Sequence, residues 1–471
     1  MTGALFKRPV QTAELVAMTS RSAALRFGTD GMRGIANVEL TPELTLALGR
    51  AAARVLGGDS RYGQPSVIGR DTRRSGDLLL AALVAGITAE GMDAVDLGVL
   101  PTPAVAHASA QANVAAAMIS ASHNSFPDNG IKFFSAGGRK LPDEVEARIE
   151  LELEKLLNGD VGPVPVGEQI GVFRRSDAEH AAYEQALMEA LEGRRLDGLV
   201  VVLDCANGAT ASSAPDVFRR LGATVIAMHD QPDGVNINES CGSTHPQSLQ
   251  EAVREHRANM GFAFDGDADR MLAVDHTGEL IDGDQLMAMT AIDMRDRGLL
   301  KHDTVVVTVM TNLGFKIAMR ENRINVVETK VGDRYVLEAI EAGGFSLGGE
   351  QSGHIILRDR ASTGDGTLSA LVVADLLTRK GTTLQAEAAV MRRLPQVLRN
   401  VKGVDRSRLD TAKGLWADVQ VAEQELGDTG RILLRPSGTE ALVRVMVEAP
   451  TPEIAEAVCA RLCDSVVREL G

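Results

Sequence analysis

The chain is short of cysteine, aromatic rings, long apolar runs and positive charge, and each shortage removes a class of explanation. Its four cysteines, Cys205, Cys241, Cys459 and Cys463, include no CxxC pair, so neither a disulfide framework nor a cysteine-built zinc site is indicated. They read as reduced, small apolar residues of a cytoplasmic protein. Cys459 and Cys463 fall on one predicted helix, where metal ligation would need a His or Cys companion that the neighbouring sequence does not supply. No segment approaches the roughly 18 consecutive apolar residues of a membrane span, so a membrane partner is not expected. Residues 1–25 read as an N-terminal extension, without the continuous apolar stretch and cleavage site of a leader. Lysine and arginine number 49 against 64 aspartates and glutamates, a formal charge of −15. That balance repels a phosphate backbone and argues against nucleic acid as a partner. Any anion site must be a local basic pocket.

What the chain has in quantity is glycine, 47 of 471 residues, with 44% apolar and only 3% aromatic residues. This composition suits an α/β enzyme with many tight turns, and the length implies two to four domains. Three sections repeat one grammar: a short β-branched run, a Gly-rich or polar loop, then a segment of helical period. That is the signature of βαβ units and parallel sheets. In the first, "PSVIGRDTRRSGDLLLAALVAGITAEGMDAVDLG" predicts a strand to Gly69, a helix from about Ser75 and a strand through Val95, with "NVAAAMIS" as a further buried strand. "LDGLVVVLDCANGATASSAPDVFRRLGATVIAM" and "DTVVVTVMTNLGFKIAMREN" repeat the pattern. After Pro395 the order becomes strand, loop, strand, helix. There Thr451 is the expected N-cap, Pro452 the first helical residue, and Ile454, Val458, Leu462, Val466 and Leu470 the core face. The expected fold is α/β: three similar mixed α/β/α domains at residues 26–175, 176–276 and 277–390, followed by a smaller α+β domain at 391–471.

"FAFDGDADRML" sets Asp265, Asp267 and Asp269 alternately after an apolar strand, so one turn can aim three carboxylates at a point. Their mutual repulsion calls for a hard divalent cation, and all-oxygen ligation favours Mg²⁺ over zinc. A calcium loop fails on spacing, since Arg270 and His276 would stand where it needs Gly and Glu. A solvated acidic turn is the plain alternative. "MISASHNSFPDNGIKFF" places Ser122 after a predicted strand, at the carboxyl edge of a sheet where α/β proteins put ligands. Ser122 can be a nucleophile, with His123 and Lys132 to move protons or screen charge and Asn124 and Asn129 to fix the loop. The absence of a G-x-S-x-G elbow disfavours acyl transfer, and on these residues alone a polar turn is equally consistent. "RPSGTEALVR" gathers Arg435, Ser437, Gly438, Thr439 and Arg444 into the outline of a phosphate clamp, against the alternative of a plain hairpin turn. "GGEQSGH" offers Glu350, Ser352 and His354 for hydrogen bonds to sugar hydroxyls, or a bland glycine turn. Arg33, Arg70, Arg73, Lys330 and Arg334 sit in polar loops, where arginines are usually only solvated charges.

These loops, in this order from "FGTDGMRG" to "RPSGTEALVRVM", resemble the α-D-phosphohexomutase family over nearly the whole chain. Five ordered motifs are far more specific than any one of them. The wording "ISASHN", "DGDADR" and "GGEQSGH" looks like the branch acting on glucosamine phosphates. The resemblance implies a heart-shaped enzyme of four domains, an intramolecular phosphotransferase that interconverts glucosamine 6-phosphate and glucosamine 1-phosphate through a phosphoserine and a 1,6-bisphosphate. Its product would feed amino-sugar and cell-wall precursor synthesis.

The same resemblance implies Ser122 as the phosphoserine, with Asp265, Asp267, Asp269 and an oxygen of the Ser122 phosphoryl group holding one Mg²⁺. Glu350, Ser352 and His354 would meet the sugar. Arg435, Ser437, Gly438, Thr439 and Arg444 would hold the non-reacting phosphate. Arg33, His123, Lys132 and Arg270 would line the transfer centre, with Lys132 ahead of His123 as general acid/base. Activation is expected from glucosamine 1,6-bisphosphate or from phosphorylation of Ser122. A small phosphosugar is the implied partner, and the oligomeric state, a homodimer included, stays open. The alternatives are the family's mannose- and glucose-phosphate branches, an Mg²⁺-dependent phosphatase with an aspartate nucleophile, and a non-catalytic phosphosugar sensor. The chain departs from the family pattern at Ser125 and Ala441, where proline is usual, and at Pro127, often an aromatic position. Loss of the first proline is expected to loosen the loop that aims Ser122.

Overall fold

The computed structural model describes residues 26–471 apart from 29–30 and 438–441. The expected extension at 1–25 and the departure at Ala441 therefore lie outside the described residues. Three sheets repeat one arrangement, and the repeat follows from the sequence grammar. β-branched runs such as Thr304–Thr308, too apolar for an exposed face, become central strands covered on both sides. Each central strand (Pro65–Arg70, Val200–Asp204, Thr304–Thr308) lies parallel to the next strand on one side (Asp93–Val99, Thr224–Met228, Asn325–Thr329). On its other side lies a third parallel strand (Ala115–Ile119, Met260–Phe264, Leu347–Gly349). Helices such as Gly76–Ala89 and Thr102–Ala112 make the crossovers that parallel pairing requires.

A fourth strand (Asp128–Ser135, Met271–Asp275, Ile355–Leu357) then folds back antiparallel on the third. The sheets are thus mixed, not parallel throughout, because so short a connection between third and fourth strands can join only antiparallel neighbours. This hairpin turn is where the polar motifs recur. The Ser122 loop, the acidic turn and the "GGEQSGH" loop all occupy it in their respective sheets. In the C-terminal part the "PSGTE" loop likewise joins the antiparallel strands Arg431–Pro436 and Leu442–Glu448.

That last sheet has three antiparallel strands, with Leu442–Glu448 between Gln396–Lys402 and Arg431–Pro436. Helices Lys413–Leu426 and Pro452–Leu470 pack on it. Thr451 caps the final helix, its Oγ1 accepting from the Ile454 amide at 3.4 Å, and Pro452 is the first helical residue, as predicted. Ile454 is a correction: it is 42% exposed, and the buried stripe is Ala455, Val458, Cys459, Leu462, Val466 and Leu470. A strict four-residue repeat drifts by about 40° per step around a helix of 3.6 residues per turn, so three steps back from Val466 leave the core face.

One continuous apolar core joins the first three sheets, running from Val67 and Phe134 through Phe262 and Phe264 to Phe315 and Leu371. The C-terminal sheet has its own core. It meets the third sheet through a polar latch in which buried Glu448 accepts from Arg431 Nη2 at 2.9 Å and from the Leu313 amide at 2.8 Å.

Candidate active site

The first two hairpin turns meet face to face. Ser122 is fully buried, and its hydroxyl donates to Asp265 Oδ2 at 2.6 Å. His123 Nδ1 stands 3.3 Å from Ser122 Oγ and 3.2 Å from Arg270 Nη1. Lys132, on the strand returning from the serine loop, donates to Asp267 Oδ2 at 2.9 Å and lies 3.6 Å from Asp269 Oδ2. The Arg33 side chain crosses Gly130 on the adjacent strand, where a Cβ would come within 2.9 Å of Arg33 Cγ. The structure therefore brings Ser122, His123, Lys132 and Arg270 to the same acidic turn, with Arg33 near enough to His123 to act on its charge.

That turn carries an excess of negative charge. Carboxylate oxygens of Asp265, Asp267 and Asp269 all lie within 4.8 Å of one another, and all three residues are buried. Burial, reinforced by Asp269 and Asp267, holds the Asp265 carboxyl well above the usual carboxylate range. Asp267 Oδ1 is buried with no hydrogen-bond partner among the described residues. An unsatisfied oxygen amid three converging carboxylates fits a hard dication, and a donor set made only of oxygen suits Mg²⁺. His123 shifts the other way. Burial first, then Arg270 and Arg33, push its imidazole below its ordinary value, which favours the neutral ring.

The third hairpin turn reaches the same cluster. Oxygen or nitrogen ligand atoms of Asp269, Asp333 and His354 fall within 4.8 Å of one another. Lys140 pairs with Asp333, and His354 Nε2 is 3.3 Å from Asp333 Oδ2. Glu350 Oε1 accepts from the Gly332 amide at 3.0 Å, and Ser352 is exposed at the tip. His354 is buried, packed against Gly364, where a Cβ would come within 2.5 Å of its ring, with its Nε2 turned to Asp333.

In the fourth turn Arg435 and Arg444 face each other across the hairpin, and neither pairs with a carboxylate among the described residues. Burial and then Arg444 lower the Arg435 guanidinium from its ordinary value, and Arg444 Nε is buried without a partner among the described residues. Two juxtaposed cations of this kind are prepared for an anion. Ser437 is buried and its carbonyl accepts from Arg406. Gly438 and Thr439 lie outside the described residues.

The reading of loop arginines as solvated charges is corrected at two of them. Arg73 is buried against Asp71, and Arg334 is buried against Asp143 and Glu146. Both hold ion pairs, Arg73 with a partner two residues away and Arg334 with partners at the start of helix Asp143–Leu157, and isolated loop composition does not reveal such pairing. Sequence reading also missed Thr102, whose hydroxyl donates to Asp267 Oδ2 at 2.7 Å while its amide donates to the Asp267 carbonyl at 2.9 Å. The one available signal was Pro101–Thr102–Pro103, a helix start beside the sheet edge. Asn129 fixes the serine loop as expected, with Oδ1 accepting from the Gly130 amide at 2.8 Å. Asn124 instead bonds side chain to side chain with Asp128 at 2.9 Å.

Four family descriptions match in chain order: phosphoglucomutase/phosphomannomutase alpha/beta/alpha domain I at residues 24–159, domain II at 180–278, domain III at 282–394 and the C-terminal domain at 398–465. The phosphoglucosamine mutase of Streptomyces avermitilis is 53% identical over 449 residues, covering 94% of this chain and 99% of the relative. That of Frankia alni is 54% identical over 450 residues, covering 94% and 98%. Among solved structures, a phosphoglucomutase/phosphomannomutase family protein from Burkholderia thailandensis superposes with a TM-score of 0.77 at 24% identity over 95% of this chain and 97% of that one. An Aspergillus fumigatus N-acetylphosphoglucosamine mutase in complex with GlcNAc-6P and magnesium does so with a TM-score of 0.67 at 20% identity, over 98% and 100%.

Proposed function

The chain belongs to the phosphoglucomutase/phosphomannomutase family, and from that premise we propose that it interconverts glucosamine 6-phosphate and glucosamine 1-phosphate. It is a phosphosugar isomerase. The branch rests on relatives more than half identical over nearly the full chain, all of them phosphoglucosamine mutases. The observation that carries the chemistry is the 2.6 Å contact between Ser122 Oγ and Asp265 Oδ2, which puts a hydroxyl nucleophile on an acidic, cation-hungry turn.

In the working enzyme Ser122 carries a phosphoryl group. A sugar hydroxyl attacks the phosphorus, the bond to Ser122 Oγ breaks, and glucosamine 1,6-bisphosphate forms. The bisphosphate turns over, its other phosphate returns to Ser122, and the isomer leaves. Phosphoryl transfer passes through a loose, charge-spread transition state, so the protein's task is positioning and charge stabilisation. Arg270 solvates the serine oxygen as it gains charge, and the neutral-leaning ring of His123, whose Nδ1 accepts from Arg270 Nη1 at 3.2 Å, orients that guanidinium. Lys132 takes the proton of the attacking hydroxyl and returns it in the reverse step. A divalent cation on Asp265, Asp267 and Asp269, Mg²⁺ by donor chemistry, would neutralise charge on the phosphoryl oxygens. Arg435 and Arg444 hold the phosphate that is not reacting, and Glu350 and Ser352 meet the sugar hydroxyls. Glucosamine 1,6-bisphosphate, or phosphorylation of Ser122 by other means, primes the first turnover.

The deciding experiment measures turnover of glucosamine, glucose and mannose phosphates side by side on one preparation. The proposal expects kcat/KM for the glucosamine pair to lead by about tenfold or more, the discrimination that one or two polar contacts supply. A preference for mannose 1-phosphate would overturn the choice of substrate.

A further inference from the structure

Ser122 has a left-handed backbone, with φ of 52°. A non-glycine residue there is strained and persists only where its surroundings hold it. The turn's own backbone bonds stay within the loop, and the side chains of Ser122 and His123 cross from it to Asp265 and Arg270. The Asn124 amide donates to the Ala121 carbonyl at 3.1 Å and the Asp128 amide to the Ser125 carbonyl at 3.2 Å, while Ser125 itself is exposed. The holding comes from two side chains outside the loop. Asn238 Nδ2 donates to the Ser122 carbonyl at 2.8 Å and to the Asn124 carbonyl at 2.9 Å. Arg73 Nη2 donates to the same two carbonyls, at 3.3 Å and 2.5 Å.

Both side chains are buried, Asn238 at 8% exposure and Arg73 at 3%, and both are anchored. Arg73 Nη1 pairs with the Asp71 carboxylate, and the Asp71 amide donates to the Ile119 carbonyl at 3.1 Å, on the strand that leads into the serine loop. The Asn238 amide donates to the Ala206 carbonyl at 2.9 Å. Arg73 belongs to the first sheet's loops and Asn238 to the second's. Those loops are tied together by the Arg74 amide on the Gly234 carbonyl at 2.8 Å and by Thr72 Oγ1 on the Asn207 carbonyl at 2.6 Å. Gly266 of the acidic turn closes the assembly: a Cβ there would come within 2.8 Å of the Ser122 carbonyl and 2.9 Å of Asn238 Nδ2.

We propose that Asn238 and Arg73 are positioning residues that set the aim of Ser122 at the acidic turn, giving this loop across the domain junction the rigidity that Ser125 does not. The inference rests on Ser122 as the phosphoryl carrier. Two backbone carbonyls that converge repel unless donors stand between them, and these two nitrogens are the donors. Losing one donor lets the loop relax. A displacement of about 1 Å at a reacting oxygen costs on the order of a hundredfold in rate.

The test uses the full-length protein with Asn238→Ala, Asn238→Asp, Arg73→Met and Arg73→Lys, each checked for wild-type melting cooperativity. Asn238→Ala is expected to lower kcat by about a hundredfold with KM changed by less than about threefold, since ground-state contacts to the sugar are untouched. Asn238→Asp is expected to add a pH dependence to that of wild type. The ionised carboxylate repels both carbonyls, so activity should recover relative to Asn238→Ala as the pH falls and the acid can donate again. Arg73→Lys should recover part of the kcat lost in Arg73→Met. A general loss of packing would produce neither the pH dependence nor this rescue. Hydrogen exchange over the peptide 118–126 reads the clamp without activity, and Asn238→Ala should speed it by about tenfold or more. If wild type fails to isomerise any phosphosugar, the functional reading fails and exchange still decides the clamp. Unchanged kcat in Asn238→Ala, Asn238→Asp tracking Asn238→Ala at every pH, or unchanged exchange in that peptide would each overturn the proposal.

Discussion

At the Ser122 turn, carboxylates from one loop face a serine and a lysine from another, with Arg270 beside them on the acidic turn, and the serine loop's backbone is held by donors from two domains. At the Arg435 turn, built on the same kind of antiparallel hairpin, two guanidiniums face each other with no carboxylate between them among the described residues. The first end is braced before substrate arrives and shares a continuous core with its neighbours. The second rides on a separate core, joined through the Glu448 latch. The difference separates two tasks. Bond-making needs oxygens fixed to a fraction of an ångström, whereas gripping a spectator phosphate needs charge that has not already been spent on an internal partner.

Breaking the braced end should have the largest effect. Ser122→Ala removes the atom proposed to carry the phosphoryl group, so isomerisation is expected to fall by about 10⁴-fold or more. An Mg²⁺-dependent phosphatase using Asp265 would instead keep releasing free phosphate, which a phosphate-release assay on the variant would detect. Asp267→Asn should lower kcat by roughly 10²–10³-fold and raise the Mg²⁺ concentration needed for half-maximal rate, because it removes a charge from the ligand set and a partner of both Lys132 and Thr102. A metal titration of initial rates checks this. An unchanged Mg²⁺ requirement would move the ion elsewhere.

At the open end the losses should be smaller and of a different kind. Arg435→Ala or Arg444→Ala is expected to raise KM by about 10–100-fold, the value of one charge-assisted contact to a phosphate, with a lesser effect on kcat. Steady-state kinetics that showed kcat alone falling would place these arginines at the reacting phosphate, erasing the contrast between the ends.

The smallest effect concerns the latch itself. Asp284 Oδ2 accepts from the Asn312 amide at 2.8 Å, and Asn312 Nδ2 reaches Glu448 at 3.4 Å. Burial, with Asp282 adding to it, pushes the Asp284 carboxyl from its ordinary 3.8 up to about 7. The folded state therefore holds a proton that the unfolded state releases between those values, and the fold loses stability as the pH climbs through that window. Asp284→Asn keeps an acceptor for Asn312 and cannot ionise. Its melting temperature relative to wild type should rise from about pH 5 to about pH 8, by the equivalent of about 1–3 kcal/mol. A difference that stays constant with pH would rule out this proton.

Much of this layout is legible in the sequence because its signals are local. The β-branched runs announce the central strands, Thr451–Pro452 announces the last helix, and the Asp265, Asp267 and Asp269 alternation announces converging carboxylates. What stays hidden depends on contacts between distant segments. Nothing near Asn238 in sequence points to the Ser122 carbonyl, and Thr102 reaches Asp267 only because the fold sets the start of helix Thr102–Ala112 beside the acidic turn. The burial of Arg73, Arg334 and His354 follows from partners supplied by the fold, which composition alone reads as exposed charge or an available ligand. Ile454 was misplaced for a simpler reason: a repeat of four approximates a helical face only over two or three turns.

The central claim is that Ser122 carries the phosphoryl group. Intact-protein mass with peptide mapping tests it on the purified chain. A phosphate on Ser122 that is discharged by glucosamine 6-phosphate and restored by glucosamine 1,6-bisphosphate is the predicted result. Phosphate found only on Asp265, or on no residue after incubation with the bisphosphate, would contradict it.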